Sequence, residues 1–176
     1  LHSDHIADLP NFHMQTWINN RPSQLDVYGP EGLGSVVQGF EDAYNLDYTF
    51  RNAHHGDEIA PLGVAGMKAH TIDLNNPVII ESDDLSIRAF EVDHHPVKPA
   101  LGYRFDYKGR SIVISGDTSV SQNLTDRSRN TDVLFHVLTE DDYERDKLLD
   151  VISFQEERVT PMFDSDRIAR SGVLPL

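Results

Sequence analysis

The sequence predicts a layered α/β domain whose sheet is at least partly antiparallel, and three observations carry that prediction. Strand-like and helix-like segments alternate irregularly along the chain, which favours helices packed on sheets. Ala100 to Tyr107 and Arg110 to Ser115 alternate apolar and polar residues about Lys108-Gly109. That is the pattern of a tight β-hairpin, and it rules out a simple doubly wound parallel sheet. A length of 176 residues, with 39% hydrophobic and 25% charged residues, suits one domain over 1–176 with its own core.

Taken in order, the opening His2-Ser-Asp-His5 cluster is expected on a tight loop. Leu9 to Asn19 reads as a short helix, with Asp8 available as its cap and Pro10 in its first turn. Leu25-Asp-Val-Tyr28 is a short strand closed by Gly29-Pro30. Leu33 to Tyr44 reads as a helix with Val36, Val37, Phe40 and Tyr44 on one apolar stripe. Tyr48 to Ile72 mixes loop and strand. Pro77 to Glu81 and Ser86 to Val92 are strands, followed by the hairpin. Thr131 to Leu138 is a further strand, Asp141 to Glu157 a polar helix and Ser165 to Ser171 a short one.

Composition narrows the chemistry. There are no cysteines, so disulfides, thiolate nucleophiles and Cys-ligated zinc are excluded, and a tightly held transition metal must rely on imidazole and carboxylate. Nine histidines make that feasible. Zero cysteine suits a reducing cytoplasm without excluding the periplasm. No segment approaches the roughly 20 apolar residues of a membrane helix, and no targeting leader is visible. The net charge of −14, from 15 basic and 29 acidic residues, argues against nucleic acid as the habitual partner, since gripping phosphates needs a basic face. A local basic patch remains compatible with that balance.

Three clusters could carry chemistry. His2, Asp4 and His5 pack three strong metal ligands into four positions. A tight loop could aim them at neighbouring ions, whereas a regular strand would put His2 and His5 on opposite faces; a solvated polar terminus is the other reading. Asp93-His94-His95-Pro96 follows the strand Ser86 to Val92. Two adjacent histidines on extended chain cannot both point inwards, so one would ligate and the other support it or face solvent. Gly116-Asp117-Thr118 follows the apolar strand Ser111 to Ser115, placing an acidic residue just past a strand end, as a site residue or a structural turn.

Together these segments resemble the metallo-β-lactamase superfamily. His2-Ser-Asp-His5 is similar to its His-x-His-x-Asp-His signature, joined at the second residue. Val92-Asp-His-His-Pro-Val-Lys-Pro-Ala-Leu-Gly-Tyr-Arg104 is similar to its later histidine motif followed by Gly-Tyr-Arg, and Ser115-Gly-Asp-Thr118 to its bridging-aspartate motif. Val27-Tyr-Gly-Pro30 extends the likeness. Within the superfamily the chain most resembles the branch with RNase Z-like, phosphodiesterase-like and arylsulfatase-like members. The resemblance implies a four-layer αββα sandwich with mixed sheets, incomplete at the N-terminus, with the site at one edge of the two sheets.

By the same resemblance His2 and His94 would hold a first metal, Asp4 and His5 a second, and Asp117 would bridge them. Zinc is the expected metal, two ions per site, with manganese or iron as substitutes. Asp4 could also orient the attacking water or take its proton, and His136 resembles a histidine that could serve as acid, a buried structural role being its other reading. The implied activity is metal-dependent hydrolysis of a phosphodiester, sulfate ester or related ester of a small molecule. RNase Z-like members generally carry a long RNA-gripping insertion where this chain has one compact hairpin from Gly102 to Gly116, so an RNase Z-like nuclease is the further alternative.

The family's first histidine would precede Leu1, and its last would follow a segment like Ile168 to Val173. The expectation is therefore a chain clipped at both ends, or a metal-poor member that binds without turnover. Missing strands would expose apolar sheet edges and favour aggregation or a partner chain, a homodimer among the options. His54 and His55 could line the pocket or an exposed loop, and His13 and His70 read as structural or solvent-facing. Lys98, Arg104 and Arg110 could meet an anionic substrate, although Arg104 and Arg110 flank the hairpin and read more simply as cross-strand charges.

Overall fold

A computed structural model describes residues 1–138. The helices expected over 141–157 and 165–171 lie outside the described residues. Within them the order is α1 (Ser3–Ile6), α2 (Leu9–Ile18), β1 (Leu25–Gly29), α3 (Leu33–His55), β2 (Met67–Thr71), β3 (Val78–Glu81), β4 (Leu85–His94), β5 (Val97–Tyr107), β6 (Arg110–Thr118), α4 (Gln122–Arg127) and β7 (Val133–Leu138).

The strands form two sheets. β1 and β2 make a parallel pair, and the larger sheet runs β3-β4-β5-β6-β7, antiparallel except for the parallel pair β6–β7. The mixed character expected from the hairpin is thus present. Its turn has Lys108 and Gly109 both at positive φ, 49° and 77°, between the paired residues Tyr107 and Arg110. Two left-handed residues give a turn whose twist matches the strands.

Each sheet carries helix on one face. Leu33 and Val37 of α3 pack with Met67 of β2 and with Leu25, Val27 and Ala69, so the small sheet is apolar towards α3. Leu124 of α4 packs on Phe90, Val92 and Val113 of the large sheet. The opposite face of β6 and β7 leaves Ile112, Ile114, Val133, Phe135 and Val137 exposed among the described residues.

The structure corrects three local readings. α3 does not end near Tyr44 but continues to His55, so His54 and His55 belong to a helix end and not a loop. The extension is held by the buried Tyr48, which continues the inward stripe one turn past Tyr44, and by the Asp47–Arg51 ion pair at helical spacing. Gly56, at φ 76°, is the actual stop. Asp8 occupies the cap position of α2, yet its side chain makes no capping bond. The opening cluster lies on the helical turn α1 and not on a loop.

A buried polar network ties α2 to α3 and to the approach to β2. Arg21 donates to the carbonyls of Val64, Ala65 and Gly66 and to that of His13. His13, fully buried, lies 3.4 Å from an Arg21 nitrogen through Nδ1 and 2.7 Å from the Tyr48 hydroxyl through Nε2. The Tyr48 hydroxyl donates to Glu41, which also accepts the Met67 amide. Every bond is satisfied if His13 is neutral with its proton on Nε2.

Burial, and after it the charge of Arg21, lowers the His13 pKa from 6.5 to about 4. The unfolded chain takes up this proton near pH 6.5 and the fold only near pH 4, so the unfolded state binds more protons in between. The contribution is complete above the upper value and is lost as pH falls through the window, on the order of 3 kcal/mol in all. Urea denaturation at about pH 7.5 and about pH 4.5 is expected to show a smaller loss of stability for His13→Gln than for the unmodified chain.

Candidate metal centre

Asp117 owes its direction to one extra residue in β6. Up to Ser115 the strand alternates regularly: Ser111, Val113 and Ser115 are buried on the α4 side, and Ile112 and Ile114 lie on the other. On β7 the partners of Ile114 and Asp117 are Phe135 and Val137, so β6 spends three steps where β7 spends two. The bulge reverses the parity, and Thr118, not Asp117, now falls on the buried side. Asp117 comes to the face of Ile114 and of its cross-strand partner Tyr103. It is therefore not past the strand end, as its glycine suggested, but inside a bulged strand.

Gly116 allows the bulge. Its φ is +63°, and a Cβ there would meet the Leu101 carbonyl oxygen at 2.7 Å. The end of β4 is then latched to the end of β6. The Ser119 amide donates to the Asp93 carbonyl at 2.7 Å, and the Thr118 hydroxyl accepts from the Asp93 amide at 3.1 Å. This latch sets His94, the next residue, against Asp117.

The third contributor is α1. Winding Ser3–Ile6 into one helical turn puts His2 and His5, three residues apart, on one side, which a strand would not do. His5 Nε2 lies 2.9 Å from Asp117 Oδ2 and 3.5 Å from Asp4 Oδ2. His94 Nε2 lies 3.9 Å from the same Asp117 oxygen, and the His2 and His94 rings meet edge to face at 5.6 Å.

The five residues group as two triads sharing Asp117. One is His2, His94 and Asp117, the other Asp4, His5 and Asp117, and within each the ligand atoms all lie within 4.8 Å of one another. His94 Nε2 is buried and has no hydrogen-bond partner among the described residues. A buried polar atom without a partner costs about 1–3 kcal/mol, and a cation among these donors would relieve it. The donor set therefore fits a divalent metal. His95, exposed, takes no part in either triad.

His2, His5, His94 and Asp117, though not Asp4, line a pocket of about 320 Å³ to which β1 and the large sheet also contribute. Its wall includes Leu9, Val27, Tyr28, Leu33, Val97 and Tyr103. Burial raises the Tyr103 pKa, so its phenol stays protonated. Sequence reasoning passed over Tyr28 and Tyr103 although both stand in quoted motifs, because nothing local distinguishes a wall tyrosine from a core one.

Other candidates lie elsewhere. His136 is half-buried on β7 with Nδ1 3.2 Å from the Ser115 hydroxyl, and it is not among the pocket residues. Arg104 pairs with Asp106 and donates to the Arg127 and Arg129 carbonyls, and Arg110 pairs with Asp132. His70 pairs with Asp26. Neither His54 and His55 nor Lys98 lines the pocket.

A family profile described as "Beta-lactamase superfamily domain" matches residues 1–161. The chain belongs to the metallo-β-lactamase superfamily. Among curated proteins it is 30% identical to Ribonuclease Z of Mycobacterium marinum, covering 93% of this chain and 56% of that protein. It is 35% identical to Ribonuclease Z of Mycobacterium avium, covering 81% and 50%. The chain thus spans about half the length of the curated relatives it matches.

Solved structures agree on the fold. Human tRNase Z, short form, matches with TM-score 0.55 at 20% identity, covering 85% of this chain and 59% of that one. The metallo-beta-lactamase fold protein YhfI from Bacillus subtilis matches with TM-score 0.50 at 19% identity, covering 76% and 45%. The α/β fold with mixed sheets expected from the sequence is that of this superfamily. No helix among the described residues is long and apolar enough to cross a membrane.

The bulge makes a direct prediction. Gly116→Ala forces a side chain into the left-handed region and onto the Leu101 carbonyl, and should cost about 2 kcal/mol or more in urea denaturation. Gly109→Ala, in the open hairpin turn, should cost less.

Proposed function

We propose that this chain holds a pair of divalent metal ions and hydrolyses phosphodiesters, with RNA as the foremost substrate class. The observation that carries the reading is the buried Nε2 of His94, unpaired among the described residues, in one of two triads that share Asp117. His2 and His94 would hold one ion and Asp4 and His5 the other, with Asp117 the carboxylate common to both sets. Imidazole and carboxylate suit zinc, and the same donors accept manganese or iron. When bound, such a pair supplies a water activated near neutral pH and Lewis-acid stabilisation of a phosphoryl oxygen.

The chain's own residues do the rest. Asp4, the most open of the acidic ligands at 73% exposed, orients the attacking water or takes its proton on a carboxylate oxygen. His94 and Asp117, at 22% and 21% exposed, are the less open ligands, and the apolar residues beside them reduce hydration and strengthen electrostatic effects. His136 enters as a structural histidine held beside Ser115, the second of the two readings open to it.

Relatives named Ribonuclease Z, at 30–35% identity, support RNA and run against the expectation that nucleic acid is not the partner. A smaller phosphodiester is the second reading. It is favoured by the net charge of −14 and by the two-residue turn joining β5 to β6, which leaves no arm there to grip a long polyanion. Sulfate esters gain no support from the relatives.

Elemental mass spectrometry after zinc loading should give about two metals per chain, and one or fewer for Asp117→Ala or His94→Ala. Hydrolysis of bis(p-nitrophenyl) phosphate should fall roughly a hundredfold or more in Asp117→Ala. Comparing its rate with cleavage of a 3′-extended tRNA decides between the two substrates. A folded protein that takes up no metal would instead support the metal-poor, non-catalytic alternative.

A further inference from the structure

The small sheet has a second face. Leu25, Val27, Met67 and Ala69 pack towards α3, so the alternate residues Asp26, Tyr28, Lys68 and His70 share the opposite side. There His70 Nε2 lies 2.6 Å from Asp26 Oδ1, and the imidazole lies flat against the Tyr28 ring, with 4.5 Å between centroids and 14° between planes. Tyr28 and His70 are register partners in the parallel ladder, which accounts for their contact. Position in the ladder does not account for where the tyrosine leads, because Tyr28 is also a wall residue of the pocket that holds His2, His5, His94 and Asp117.

The chemistry of that wall is selective. Among the described residues no lysine or arginine side chain lines it, and beyond the donor cluster they contribute aliphatic side chains, prolines, Gly116 and the two tyrosines. Among the described residues, a phosphate at the donor cluster therefore has no lysine or arginine side chain beside it for another phosphate. The same lining holds apolar side chains and Tyr28, 37% exposed, whose ring is backed by an imidazole that a carboxylate keeps in place. A rigid aromatic of this kind gains most from a planar, weakly hydrated group laid on it.

We infer that Tyr28 is the stacking platform for the nucleobase adjacent to the scissile phosphate, with His70 and Asp26 as positioning residues behind it. The inference rests on the phosphodiester reading for where the phosphate sits. It names the part of the substrate that the pocket recognises: a nucleobase next to a phosphate, as found at the end of an RNA and in a free nucleotide.

The test is binding without turnover. Isothermal titration of the zinc-loaded protein with adenosine monophosphate, ribose 5-phosphate and inorganic phosphate separates base from phosphate. The nucleotide is expected to bind at least about tenfold more tightly than ribose 5-phosphate. Tyr28→Ala should abolish that advantage and leave ribose 5-phosphate and phosphate unchanged, while Tyr28→Phe should retain it. His70→Ala should lose part of it, because the Tyr28 ring is then no longer backed. Thermal unfolding of Tyr28→Ala checks that the fold persists.

Equal affinity for nucleotide and ribose 5-phosphate, no nucleotide binding to the unmodified protein, or unchanged nucleotide binding in Tyr28→Ala would each overturn the inference. Failure of the hydrolase reading shows differently, as Tyr28-dependent nucleotide binding in a protein that cleaves no diester. A short single-stranded RNA that binds more tightly than the nucleotide, through the same tyrosine, would assign the base to an RNA end. Equal affinity would assign it to a free nucleotide.

Discussion

The inserted residue at the end of β6 is the constraint on which the candidate site depends. A strand offers a side chain only two directions, and a regular β6 would turn Asp117 into the apolar layer of Val113, Phe90 and Leu124 under α4. A carboxylate there would lose hydration with no cation in reach, at a cost of several kcal/mol. One extra residue reverses the alternation, and the hydroxyl of Thr118 takes the buried place, bonded to Asp93. The same change that removes a charge from the core therefore delivers it to the pocket. It also supplies the threonine that latches β4 to β6 and sets His94 beside Asp117.

The cluster is polar in an otherwise apolar pocket, and its energetics follow from that. His5 and Asp117 satisfy one another, whereas His94 Nε2 is buried without a partner among the described residues. Packing and latch bonds hold that ring where its own hydrogen-bonding preference would not. An unsatisfied buried nitrogen of this kind costs stability, which the proposed metal site would recover on binding a cation. By contrast, the buried polar groups of the Arg21–His13–Tyr48–Glu41 network are satisfied. Its role is to fix α2 against α3, and through them the small sheet that carries Tyr28.

Much of this was legible in the residues. The hairpin about Lys108-Gly109, the strands from Val78 to Tyr107 and the inward stripe of α3 follow from alternation, turn chemistry and helical spacing, all of which act between near neighbours. The two histidine clusters were legible because few structural needs put imidazole and carboxylate together so densely, and Gly116-Asp117-Thr118 through its likeness to the family motif. The length of α3 was not, because Tyr48, Thr49, Phe50 and Asn52 are indifferent helix formers, and it is the burial of Tyr48 against Trp17 and His13 that holds them. Nor was the position of Asp117, since a glycine before an acidic residue reads equally as a turn or a bulge until the neighbouring strand is counted.

By itself the sequence determined which chemistry was available: no thiols, a net charge of −14, and two histidine–aspartate clusters and one lone aspartate turn separated by strand-forming segments. It also determined family, because those clusters occur in a particular order and strand context. Only the tertiary structure decided which members meet. His2 and His5 share a side because α1 winds into a turn, His94 and not His95 joins Asp117 because Asp93 is latched to β6, and His136 faces Ser115 and not the pocket. The physical reason is common to all three. A ligand set is defined by distances between side chains far apart in the chain, and those distances are set by register, bulges and helix winding that depend on the whole fold.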